Sequence, residues 1–208
     1  SEILRLFALD PHDNGMLEAT GIGKDEMAAY RFSSLSEPGG AIFVAEQFNR
    51  LEAILFMAPE LMLSAVLGHH FWSIRQLVVS ASAPRATVAA LLDTAMKRLN
   101  VPLDCIIARV PARDWPAVRG LQEQGFEAVD SEVISVLPCE PREIGNPSGT
   151  NLTPIRRVHL SKAADLIRRC AGFLHVPSSV QIRASQVTRL YECLLANYVV
   201  ESNAGGLV

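Results

Sequence analysis

Cysteine is sparse here and badly placed for any scaffold. Cys105, Cys139, Cys170 and Cys193 form no CxxC pair and no Cys/His cluster of zinc spacing, which excludes a zinc ribbon and argues against a disulfide framework. Cys105 sits in an apolar run, where a thiol behaves as a small hydrophobe, and the four read as reduced thiols of a cytoplasmic protein. Basic runs are missing too: 19 Lys and Arg are interspersed with 22 Asp and Glu, for a formal charge of -3. No stretch can neutralise a row of phosphates, so nucleic acid is not an expected partner. No apolar run approaches the about 20 residues of a membrane helix, and Ser-Glu-Ile-Leu-Arg at the start lacks a basic-then-apolar signal pattern, so no membrane partner is expected. Flanking glycines of a GxSxG elbow are absent around Ser80 and Ser82. What the chain does have is apolar content, 49% of 208 residues, enough to build one large core or two small ones.

Two loop-forming clusters divide it, Ser33 to Gly40 and the Pro, Gly, Asn and Ser-rich stretch from Pro138 to Pro154. Before the first, Lys24 to Phe32 is helix-compatible, with Met27, Ala28 and Phe32 apolar. Ala41 to Ala45 and Leu51 to Met57 are apolar runs on either side of Asn49-Arg50, the pattern of a hairpin, and Ile74 to Val79 is a further β-branched run. From Ala86 to Leu99, Val88, Leu91, Leu92, Ala95, Met96 and Leu99 recur at three- and four-residue spacing, which predicts a helix lying on a sheet and ended by Asn100 and Pro102. Leu103 to Val110 is a nearly continuous apolar strand, suited to the middle of a sheet. Asp114 can cap the next helix, Pro116 fits its first turn, and Gln124-Gly125 closes it before Phe126 to Leu137 returns as a strand. Alternating strands and helices predict a mixed α/β sheet flanked by helices, with Leu77 to Val79 beside and parallel to Leu103 to Val110.

Beyond the second cluster, Leu152 to Val158 is strand-like, Ser161 to Phe173 and Ser185 to Tyr198 are helical, and Gly205 to Val208 opens like another strand. The stripe Val187, Leu190, Tyr191, Leu194 and Leu195 needs cover, which leads us to expect self-association. The organisation expected is a first domain over 1–137, a linker over 138–154 and the opening part of a second domain over 155–208, with the chain cut short after it.

The order of elements from Leu77 to Val136 resembles the acyl-CoA-binding half of the Gcn5-related N-acetyltransferase (GNAT) superfamily. In that family a loop reading Arg-Gly-x-Gly-x-Gly/Ala presents bare backbone amides to a pyrophosphate. The equivalent here is Arg85-Ala86-Thr87-Val88-Ala89-Ala90, a degenerate version in which each missing glycine adds a Cβ and Val88 is expected to obstruct most. The resemblance implies Val79, Arg85, Ala86, Thr87 and Val88 as cofactor-contacting positions and acetyl-CoA as co-substrate. The family's second signature, Asn-x-x-Ala-x-x-Leu-Tyr-x-x-x-Gly-Phe, aligns Asp114 with the asparagine, Ala117 with the alanine, Leu121 with the proton-donating tyrosine and Gly125-Phe126 with the closing pair. Leucine donates no proton, and Ala117, Leu121 and Phe126 read as core packing. Ala108-Arg-Val-Pro-Ala-Arg-Asp114, followed by Leu121 to Val129, is similar to the first domain of two-domain dTDP-fucosamine acetyltransferase-like proteins, where the first domain is a partial, non-catalytic copy. The second domain would then be GNAT-like as well.

These features imply acetyl transfer from acetyl-CoA to a small amine, with no catalytic residue assigned and no metal. The alternative is an inactive GNAT-fold domain serving as a binding or scaffolding module. The other polar candidates are weaker. His69-His70 has no carboxylate close in sequence and reads as a loop or edge strand packing Trp72, His159 and His175 stand alone, and Asp130, Glu132 and Glu140 are scattered acids.

Overall fold

A computed structural model describes residues 2–10, 21–84, 86–128, 160–170 and 182–204. They divide into two compact units, one of Ser1–Leu61 with His69–Pro138 and one of Met62–Gly68 with Cys139–Val208.

The first unit holds α1 (Glu2–Ala8), α2 (Lys24–Ser34), β1 (Ala41–Gln47), β2 (Arg50–Pro59), β3 (Phe71–Val79), α4 (Thr87–Arg98), β4 (Cys105–Ala108) and α5 (Trp115–Glu123); α3 (Leu61–Leu67) lies between β2 and β3. α1 carries no punctuation that marks it in the sequence. The strands form one mixed sheet ordered β1-β2-β3-β4, antiparallel at the first two joints and parallel at the last. The expected hairpin is β1-β2, turned by Phe48 and Asn49 at φ 49° and 58°, the doubly positive geometry that suits the twist of two-residue hairpins. β2 is buried on both faces from Ala53 to Ala58, which is why its apolar run does not alternate.

Helices cover both faces. Leu55 and Met57 of β2 pack with Trp72, Ile74 and Leu77 of β3 against Val88, Leu91, Leu92 and Ala95 of α4 and Ala117 and Leu121 of α5. Ile54 and Val78 point the other way, to Leu6 and Phe7 of α1 and Ala28 of α2. The α4 stripe is the one its spacing predicts, except that Met96 is exposed. Asp114 caps α5 by accepting the Ala117 amide at 3.1 Å, and Gly125 at φ 84° ends it with the Phe126 amide donating to the Leu121 carbonyl.

On β3 the apolar face reads 72, 74, 77, 79, a break in period two. Its cause is a β-bulge: Phe56 pairs with Gln76 and Met57 with Ile74, leaving Arg75 as the extra residue. The Arg75 guanidinium is held by Glu37, through two bonds of 3.1 Å, and by Glu60 at 2.9 Å.

β4 differs from expectation in length and place. It is four residues rather than eight, each half-buried, and among the described residues it is the sheet's edge rather than its middle. Its ladder runs from Phe71 opposite Cys105 to Ile74 opposite Ala108. Parallel adjacency to β3 therefore holds, but not at Leu77 to Val79.

The second unit contains α6 (Leu160–Cys170), α7 (Ala184–Ala204) and the α3 segment. Gln186 donates from Nε2 to the Leu67 carbonyl at 2.6 Å, and Asn197 donates to Met62 Sδ at 3.4 Å. Val187 is buried while Leu194 is exposed. The strands expected at 126–137, 152–158 and 205–208 lie wholly or mostly outside the described residues, as does the linker. Among the described residues no helix is long and apolar enough to cross a membrane.

Candidate functional site

Among the described residues the sheet opens beside the carboxyl end of β3. Past Ile74 and Ala108 the β3-β4 ladder stops, although β3 continues to Val79. The backbone there can be oriented from its other side. Ser80 donates to the Glu52 carbonyl at 2.7 Å, so Ser80/Glu52, Val78/Ile54 and Gln76/Phe56 are the hydrogen-bonded pairs of the β2-β3 joint. Leu77 and Val79 therefore turn their amides and carbonyls away from β2, toward the opening beside β4. The bulge at Arg75 sets this up, adding twist just where the ladder ends. Because β3 and β4 are parallel, their carboxyl ends, and hence the β3-α4 and β4-α5 turns, share one edge of the sheet, where open α/β sheets place their ligands.

The first turn of α4 borders that edge. Its N-cap, Ala86, offers no side-chain bond to the helix amides, although the Thr87 amide donates to the Pro84 carbonyl at 2.9 Å. A hollow of about 200 Å³ beside it is lined by Ala45, Glu46, Gln47, Glu52, Pro84, Thr87 and Ala90. Glu52 accepts the Ser82 hydroxyl at 3.0 Å, and Ser82 lies 2.7 Å from Ser80, so both serines are engaged in the turn. Two carboxylates in this wall make it a poor cradle for a pyrophosphate.

The expected site residues fare differently. Val79 faces the opening through its backbone; Ala86 is exposed and Thr87 half-exposed at the mouth of α4. Arg85 lies outside the described residues. Val88 is 1% exposed, with its side chain against Gly120 of α5. Its branched side chain thus fills the core and does not crowd the helix mouth, contrary to the expectation drawn from missing glycines; helical phase turns it inward. Leu121, at the family's tyrosine position, is 5% exposed in the same core, and Ala117 and Phe126 pack there too.

His69 does acquire a carboxylate, brought from across the sheet. Asp104 Oδ2 lies 3.7 Å from its Nδ1 and accepts the His70 amide at 2.7 Å. This pair sits at the amino ends of β3 and β4, the far end from the opening. Asp104 also adds to burial, the larger cause, in pushing the neighbouring Cys105 thiol up, which keeps it protonated at neutral pH. Among the described residues no three His, Cys, Asp or Glu side chains are grouped to hold a metal. Asp130, Glu132, Glu140, His159 and His175 lie outside the described residues. Sequence reasoning missed Leu77, Glu46 and Glu52; for Leu77 the broken period of β3 was the available signal.

No protein-family model matches the chain, and no curated protein matches it. Among solved structures it is similar to a possible acetyltransferase from Clostridium difficile, at 16% identity and TM-score 0.41 over 66% of this chain and 92% of that one. It is also similar to a ribosomal-protein-alanine N-acetyltransferase from Brucella melitensis, at 18% identity and TM-score 0.38 over 65% and 94%. A putative acetyltransferase from Agrobacterium tumefaciens matches at 22% identity and TM-score 0.35 over 62% and 95%.

Proposed function

We propose that the first unit is a GNAT-type acyl-CoA-binding domain and that the protein transfers an acetyl group from acetyl-CoA to a small amine. The observation that carries this reading is the opening between β3 and β4. A pantetheine arm has two amides in an extended chain, and the Leu77 and Val79 edge can pair with them as a strand would. In the transfer itself, the amine nitrogen forms a C–N bond to the thioester carbon, the C–S bond breaks, and the proton the nitrogen gives up ends on solvent or on the departing thiolate. An edge amide donating to the thioester oxygen stabilises the charge that develops there.

The fit to acetyl-CoA is uneven: the strand edge suits the pantetheine, while the alanine-lined mouth of α4 with Glu46 and Glu52 does not suit the diphosphate. One observation favours a second reading, a non-catalytic binding module, since the proton-donor position is a buried leucine. Calorimetric titration of the full chain with acetyl-CoA, followed by acetylation assays on a panel of small amines, separates the two. Binding with turnover supports the transferase, binding without turnover the module, and no binding of acetyl-CoA or pantetheine overturns both.

A further inference from the structure

β1 is an edge strand, and its two faces differ. Phe43 and Ala45 pack against the α4 core, whereas Ile42 and Val44 are 46% and 47% exposed. Val44 pairs with Ile54 and Ile42 with Phe56, so both lie on the face that α1 and α2 cover. That cover stops short of them: Leu6, Phe7 and Ala28 meet Ile54 and Val78, and among the described residues no side chain of β1 joins this cluster. The backbone of the same two residues points outward. Ile54 and Phe56 bond to β3, so Ala53, Leu55 and Met57 bond to β1, through Ala45, Phe43 and Ala41. Ile42 and Val44 therefore turn their amides and carbonyls to the outer edge, where no other described strand lies.

Exposed edge strands are commonly guarded against pairing by lysine, proline or a bulge in the edge itself. Ala41 to Ala45 holds no charge and no proline, and the irregular joint beside it puts the extra residue, Glu52, on β2 and leaves β1 straight. The strand also fits a copy of itself. A two-fold axis at Phe43 sets Ile42 against Val44 of the second copy, and Val44 against its Ile42, so that outward-bonding residues face each other on both sides of the axis. The register is centred on the segment from Gly40 to Glu46 and leaves none of it unpaired. Glu46, the only charge in that segment, then meets Gly40 of the second copy and not another carboxylate. The two isoleucines and two valines make one apolar cluster on the open face, each flanking the next.

We propose that β1 is a self-association surface, on which two copies of this chain pair their β1 strands antiparallel about Phe43 and join their sheets into one. Main-chain bonds at Ile42 and Val44 hold the seam, and the apolar cluster excludes water from it. This surface is separate from the stripe on α7, and it does not depend on the acyl-CoA reading.

The test is sedimentation velocity on the full chain over a wide range of concentration, with hydrogen exchange read by NMR at both ends of that range. The chain should pass from monomer to dimer as concentration rises. The Ile42 and Val44 amides should exchange fast in the monomer and slowly in the dimer, while the Phe43 and Ala45 amides, bonded to β2, stay protected throughout. Ile42→Lys combined with Val44→Lys sets like charges opposite one another across the seam and should weaken the dimer roughly tenfold or more. Both side chains are exposed, so the thermal midpoint of the dilute protein should hold. Phe43→Cys brings two thiols together at a Cα separation of about 4.5 Å, within disulfide range, and should crosslink the dimer under mild oxidation where the parent's own cysteines do not. A parent chain that stays monomeric at every concentration overturns the proposal. So does a dimer whose Ile42 and Val44 amides still exchange fast, or one that survives the paired lysine substitutions and is dissolved by Leu194→Asp on α7.

Discussion

Gly120 shows how little room a single position can leave. A Cβ built there would lie 2.5 Å from Val88 Cβ and Cγ1, so Gly120→Ala must push α5 off α4. We expect it to cost about 1–3 kcal/mol in urea unfolding, the usual range for overpacking, and to be partly restored by adding Val88→Ala. Asp114→Ala strands the Ala117 amide and should cost about 1 kcal/mol, measured in the same way. Cys105 gives a pH effect of known sign. The folded chain holds its thiol proton more tightly than the unfolded chain, through burial first and the Asp104 charge second. The stabilisation is therefore fully present below the ordinary thiol range and is lost as pH rises through the higher folded value. Chemical denaturation across the alkaline range should show stability falling less steeply with pH in Cys105→Ala than in the parent protein.

At the scale of elements, the bulge in β3 is the decisive device. Arg75 is the extra residue, bulged out so that Trp72, Ile74, Leu77 and Val79 keep one face in spite of it. Deleting Arg75 would restore strict alternation without moving any of these side chains to the other face, so the protein should still fold, minus the ion pairs to Glu37 and Glu60. The straightened strand should extend its ladder with β4. Hydrogen exchange at the Leu77 and Val79 amides should slow and, on the acyl-CoA reading proposed above, binding of coenzyme A should weaken. Exchange as fast as in the parent would separate the bulge from the opening. α5 was legible from its residues because cap, early proline and closing glycine are all local signals. β4 is shorter than its apolar run because that run says nothing about where its neighbour turns away.

For the whole molecule, the division into units does not follow chain order. The second unit takes in Met62–Gly68, with Leu67 3% exposed and bonded through its carbonyl to Gln186. Removing Cys139–Val208 should strip that segment of its partners. Hydrogen exchange should rise sharply over residues 62–68 while the β2 amides of the first unit stay protected; unchanged exchange at 62–68 would show that α3 holds its own. By itself the sequence determined the alternation of strands and helices, the hairpin, the α4 stripe and the capping of α5, since each depends on residues within a few positions of one another. Tertiary structure alone decided where β3 and β4 part, that Val88 turns into the core, that Asp104 meets His69, and that a helix between two strands of one unit belongs to the other. Those outcomes depend on register, helical phase and distant neighbours, and a linear pattern of side chains does not carry them.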